Sequence, residues 1–165
     1  MNAKDVMKYG HLTVMGAVAD LPEENWYESG VVGYWSTKDI IAHLASFEHA
    51  LAEILQWILE GTPMPTVRRW MADGQRFNDV ETERRQDMKP QEVLDEYVQA
   101  QAEAQAWLKR VPLAQRRQPG ILPGYGEEYD LEDFLAYTFY GHKREHCAQI
   151  AVYRDRLKSR TAAEA

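Results

Sequence analysis

Where its apolar residues fall constrains the fold of this chain more than any other feature. Over long segments they recur three and four positions apart, and no stretch shows the convincing alternation of a strand. The first segment covers residues 2–20, starting near Asn2, with Val6, Tyr9, Leu12, Gly16 and Ala17 at this spacing and Pro22 closing it. A second opens at Ser36 or Thr37, either of which can cap a helix whose first turn holds Asp39. It runs to about Glu60, where Gly61, Pro63 and Pro65 stop it. A third follows Pro90, from Gln91 to about Lys109, and a fourth, capped by Asp130, runs from Leu131 to about Leu157. Residues 22–35 have no helical period, residues 66–89 read as a short helix and a polar linker, and Pro112 to Gly126 reads as a turn-rich loop. Four long helices joined by longer-than-minimal connections predict an all-α four-helix bundle with long crossover connections. The bundle is expected as one domain over residues 1–160, with the charged tail from Lys158 frayed and residues 161–165 outside the domain.

A chain of 165 residues buries a core without staples, so any metal it holds is expected to serve function. The single cysteine, Cys147, excludes an internal disulfide, and no secretory-signal pattern is present, which makes the cytoplasm the expected location. Charged residues interrupt every apolar run short of the roughly 18–20 residues needed to cross a bilayer, so no membrane partner is expected. A net charge of -7 argues against general nucleic-acid binding, because phosphate contacts need concentrated positive charge. Arg68-Arg69-Trp70 and Arg116-Arg117 read as solvated surface.

Chemistry concentrates in Gly141-His142-Lys143-Arg144-Glu145-His146-Cys147-Ala148-Gln149, where two histidines four residues apart project from one face of the fourth helix. Thr138 and Gln149 extend the face into a polar stripe, and buried polar groups need a partner. Taken alone, the pair reads equally well as a surface face carrying two histidines. His43, in Asp39-Ile40-Ile41-Ala42-His43-Leu44-Ala45 on the second helix, shifts that balance, although a lone histidine there would more often be a hydrogen-bonded core residue. It sits one turn after Asp39, whose carboxylate could accept the ring's second N–H and fix the metal-binding tautomer. Three neutral imidazoles leaving one position open make a reactive metal site. The run also satisfies H-x-x-E-H with Glu145, but no downstream carboxylate on another helix completes a protease zinc shell. His11 and His49 are not expected as ligands, Cys147 reads as a small buried thiol, and Gly120 to Gly126 as an ordinary loop whose Tyr125 and Tyr129 could line a pocket mouth. Trp35, Phe47, Trp57 and Trp107 are expected to pack in the core.

The segment Trp35-Ser36-Thr37-Lys38-Asp39-Ile40-Ile41-Ala42-His43-Leu44-Ala45-Ser46-Phe47-Glu48 and the run from Gly141 to Gln149 resemble the second-helix and last-helix signatures of the DinB/DfsB (YfiT-like) superfamily of four-helix-bundle metalloenzymes. Arg76-Phe77-Asn78 resembles a segment that precedes the family's third helix. The resemblance implies a divalent ion, nickel or zinc, on His43, His142 and His146, and a homodimer. It also implies kinship with transferases and isomerases that use low-molecular-weight thiols such as bacillithiol or mycothiol, and it does not imply DNA binding. The function expected is a metal-dependent enzyme that activates a thiol or water toward a small electrophilic substrate, with Asp39 and Gln149 supporting the ligands or facing the substrate. The alternatives are a non-catalytic small-molecule binding or sequestration protein, and a homo-oligomeric stress-response domain without activity.

Overall fold

The computed structural model describes residues 2–164, with the side chains of Thr161 and Glu164 outside the description. It is built of helices, and no strand is formed among the described residues. Helix α1, Ala3–Val18, begins where the Asn2 side chain accepts the Lys4 N–H, and buries Val6, Met7, Gly10, Val14 and Val18 along one side. Helix α2, Thr37–Glu60, starts in a reciprocal cap: Ser36 Oγ accepts the Asp39 N–H, and the Asp39 carboxylate accepts the Ser36 N–H and hydroxyl. It stops at Gly61, whose left-handed φ of 68° suits a residue without Cβ. Its first two-thirds is enclosed on nearly every side, with Ile40, Ile41, Leu44, Leu51 and Leu55 at most 1% exposed.

The segment expected as a short helix and linker forms two helices, α3 (Pro65–Asp73) and α4 (Arg76–Glu83), both lying against α2. Three distant partners hold them there. The Glu53 carboxylate accepts the Thr66 and Val67 N–H groups at the start of α3, Phe77 is 1% exposed beside the Phe47 ring, and Lys38 Nζ donates to the carbonyls of Arg85, Gln86 and Met88 at 2.6–3.2 Å. Helix α5, Pro90–Arg110, begins at proline as expected, with Glu92 accepting the Lys89 N–H. A single turn, α6 (Leu113–Arg116), follows within the loop.

The last long segment starts at the Asp130 cap as expected but is not uniform. A first turn, α7 (Leu131–Phe134), passes through a π-helical stretch, Leu135–Tyr140, into α8 (Gly141–Glu164). In that stretch the Gly141 N–H reaches back five residues to the Ala136 carbonyl, which widens the turn just before the histidine pair. Helix α8 continues past Leu157, so the stretch from Lys158 expected to fray is helical as far as Glu164; Ala165 lies outside the described residues.

Helix α2 lies chiefly along α5, and α1 chiefly along α8 with a lighter contact to α5, while α2 and α8 touch little. The consecutive helices α1 and α2 therefore stand across the bundle from one another, as do α5 and α8, and the connections over 19–36 and 111–130 cross over it. Two apolar clusters fill the interior, one around Leu51, Leu55, Phe77, Leu108 and Phe139, the other around Ile40, Leu44, Val93, Tyr97 and Ile150. No helix among the described residues is long and apolar enough to cross a membrane.

Candidate metal centre

The three histidines singled out in the sequence meet where α2 faces α8. His43 Nε2 lies 2.7 Å from His142 Nε2, which lies 2.9 Å from His146 Nε2. At these distances only one proton fits between each pair, so the nitrogens converge on one point with more lone pairs than donors. Burial is the chief reason all three rings stay neutral. It pushes His43 down to about 2 and His142 to about 3, with the neighbouring rings adding to the effect, and lowers His146 against the opposing pull of its bond to Gln149. Neutral imidazole is the ligating form.

The donors suit a divalent ion. The three ligand atoms lie within 4.8 Å of one another. Tetrahedral ligation at about 2.0–2.1 Å holds such nitrogens roughly 3.3 Å apart, so the His43–His142 and His142–His146 pairs, at 2.7 and 2.9 Å, need to part by about half an ångström. Gln149 Oε1 accepts from His146 Nδ1 at 2.8 Å, which leaves the Nε2 lone pair aimed at the cluster. Gln149 thus lies against the His146 ring. Asp39 makes no such contact with His43. Its carboxylate is engaged by Ser36 in the α2 cap, and His43 Nδ1 is buried without a partner, so the expected Asp39–His43 hydrogen bond is not made. The helix start outcompetes it, because capping requires the carboxylate to fold back toward Ser36.

The cluster opens into a cleft of about 630 Å³ lined by Trp35, His43, Phe47, Asn78, Tyr137, Thr138, Gly141, His142, Glu145 and His146. Trp35 and Phe47, expected as packing residues, form its walls, with ring centroids 5.0 and 4.8 Å from His43. Trp35 reaches that place through a tight turn in which Gly33 takes a φ of 55° and the Trp35 N–H meets the Val32 carbonyl. Asn78 arrives from α4, Tyr137 and Thr138 from the π-helical stretch. Among these, Thr138 lies on the polar stripe of the sequence and Asn78 in the segment after Arg76; Tyr137 carried no signal. Glu145 is exposed at the rim.

The remaining candidates lie elsewhere. His49 binds the Glu96 carboxylate at 2.9 Å, and His11 stacks on Tyr97. Cys147 is buried, and burial pushes its thiol up to about 11, against nucleophilic use. Tyr125 lines a separate apolar cavity of about 310 Å³ with Trp57, Trp70, Leu122 and Phe134.

A crossover helical bundle with three neutral histidines converging from two helices beside an open cleft defines a class of protein. The DinB superfamily model matches residues 13–150, and the chain belongs to that superfamily. No curated protein matches it by sequence. Among solved structures it is similar to the mycothiol-dependent maleylpyruvate isomerase, with a TM-score of 0.71 at 13% identity, and to a histidine-to-alanine mutant of that enzyme, with 0.71 at 12%. In both comparisons the alignment covers 90% of this chain and 59% of the other, so this chain spans about six-tenths of that enzyme's length. At this identity the likeness is one of fold.

Proposed function

We propose that this chain holds one divalent ion, nickel or zinc, on His43, His142 and His146, and transfers a low-molecular-weight thiol, or water, to a small electrophilic molecule. The observation that carries the reading is the close grouping of three neutral imidazoles, His43 and His146 buried and His142 half-buried, beside a cleft large enough for a substrate. A divalent ion on such ligands supplies Lewis acidity that lowers the pKa of a thiol or water. The chain's own groups do the rest. Gln149 holds His146 in its ligating tautomer, Trp35 and Phe47 keep bulk water from the inner wall, and Asn78, Thr138 and Tyr137 offer polar groups to a substrate. The thiol-dependent enzyme among the structures of like fold supports thiol over water as the nucleophile. The homodimer implied by family resemblance is part of the proposal and is read from the sedimentation mass.

Protein loaded with zinc or nickel is to be assayed with small electrophiles and a panel of low-molecular-weight thiols. Thiol-dependent turnover that falls about 100-fold or more in His146→Ala is the expected result. The second, apolar cavity around Trp57 and Trp70 favours one competing reading, a small-molecule binding protein. Ligand-induced stabilisation without turnover in any combination would move the assignment there.

A further inference from the structure

Helices α2 and α8 make little backbone contact where they face each other, and two polar links join them. One is the histidine cluster. The other is an ion pair: Lys143 Nζ lies 2.5 Å from Glu48 Oε1, with side chains 2% and 1% exposed. Lys143 directly follows His142 on α8, and Glu48 comes five residues after His43 on α2, so the pair runs immediately alongside the cluster.

Helices α1 and α5 enclose the pair. The Tyr97 hydroxyl and Gln101 Nε2 on α5 and His11 Nδ1 on α1 are buried without hydrogen-bond partners, and Glu48 Oε2 likewise accepts no hydrogen bond. Lys143 Nζ is 6.0 Å from the Tyr97 ring centroid, and α1 presses on its stem so closely that a Cβ at Gly10 would meet Lys143 Cδ at 3.2 Å. Stability does not account for such a pair. Desolvating two charges costs as much as or more than their attraction returns, and an apolar pair of similar volume commonly does as well. What an ion pair adds is a fixed distance between two points on helices whose backbones touch little, at a register a greasy surface would not define.

We propose that the Lys143–Glu48 pair positions the histidine cluster, fixing the spacing and axial register of α2 against α8 so that His43 Nε2 meets those of His142 and His146. The inference rests on the metal reading above. Its test uses the full chain in metal-free and metal-loaded form. Zinc affinity is measured by competition with a chromophoric chelator, the ligand field by the visible spectrum of bound cobalt, and the fold by far-UV circular dichroism and thermal unfolding of the metal-free protein.

In Glu48→Leu/Lys143→Met, which removes both charges together, the metal-free protein keeps its helical signal and midpoint, zinc binds at least about 10-fold more weakly, and the cobalt band shifts. Glu48→Asp keeps the charges but shortens the link by a methylene, and weakens zinc about 3-fold or more. Folded variants with the parent's affinity and spectrum would overturn the inference. If the double variant loses its helical signal, Glu48→Asp decides by the same criteria. A parent that takes up neither zinc nor cobalt sinks the metal reading itself, an outcome seen before any variant is made.

Discussion

At the scale of single residues, the site depends on which nitrogen of each ring carries the proton. Gln149 settles this for His146 by accepting from Nδ1 at 2.8 Å. Gln149→Leu fills similar space and removes the acceptor, so the ring is free to rotate and to exchange tautomers. Zinc affinity is expected to fall about 10–100-fold while the thermal midpoint of the metal-free protein stays near the parent's. An unchanged affinity by chelator competition would show that packing alone orients His146. His43 has no equivalent support, since its Nδ1 is buried and unpartnered and Asp39 is held by Ser36. Its orientation comes from the rings around it, Trp35 at 5.0 Å and Phe47 at 4.8 Å. Trp35→Ala is therefore expected to loosen His43 and weaken zinc binding several-fold with little loss of helical signal. Retention of full affinity would assign the tryptophan to the substrate cleft alone.

At the scale of helices, the long elements were legible because their signals are local: Ser36 with Asp39, Pro90, Asp130, and Gly61 as a stop all act within a turn or two. The histidine face was legible for the same reason, a four-residue spacing on one helix. What escaped sequence reading depends on partners far along the chain. Helices α3 and α4 are short and polar, and they hold their place through Glu53, Phe47 and Lys38 on α2. The π-helical stretch escaped because no residue type marks a widened turn, and Asp39 was misplaced because two uses of one carboxylate compete within the same turn. Lys38 tests this dependence. Its ammonium serves three carbonyls of the turn after α4, so Lys38→Met is expected to cost about 2 kcal/mol or more in urea unfolding. A loss within experimental error would mean that α4 is held by its other contacts, Phe77 against Phe47 and the ion pairs of Glu81 with Arg69 and Arg85.

At the scale of the whole molecule, acid stability follows from an ion network binding α2, α4 and α5. Burial alone would raise the Glu96 carboxyl, but hydrogen bonds from His49 and Arg85 prevail and hold it at about 2 instead of the ordinary 4.5. A carboxyl depressed in the folded state lends stability that is complete above the ordinary value and is lost as pH falls from about 4.5 toward 2. With partial exposure discounted, the contribution is on the order of 1 kcal/mol. Glu96→Gln is expected to be less stable at neutral pH and to show a shallower decline across that acid window; an unchanged slope would place the acid sensitivity in other groups. The crossover topology sets α2 beside α8 with little backbone contact, and the cleft opens over the histidines that these two helices contribute. The claim that this cleft has a metal on its floor is tested most directly by elemental analysis of untagged protein purified without added metal, beside His142→Ala prepared in parallel. About one equivalent of nickel or zinc in the parent and little in the variant is expected. A parent that arrives free of metal and takes up neither ion on addition would contradict it.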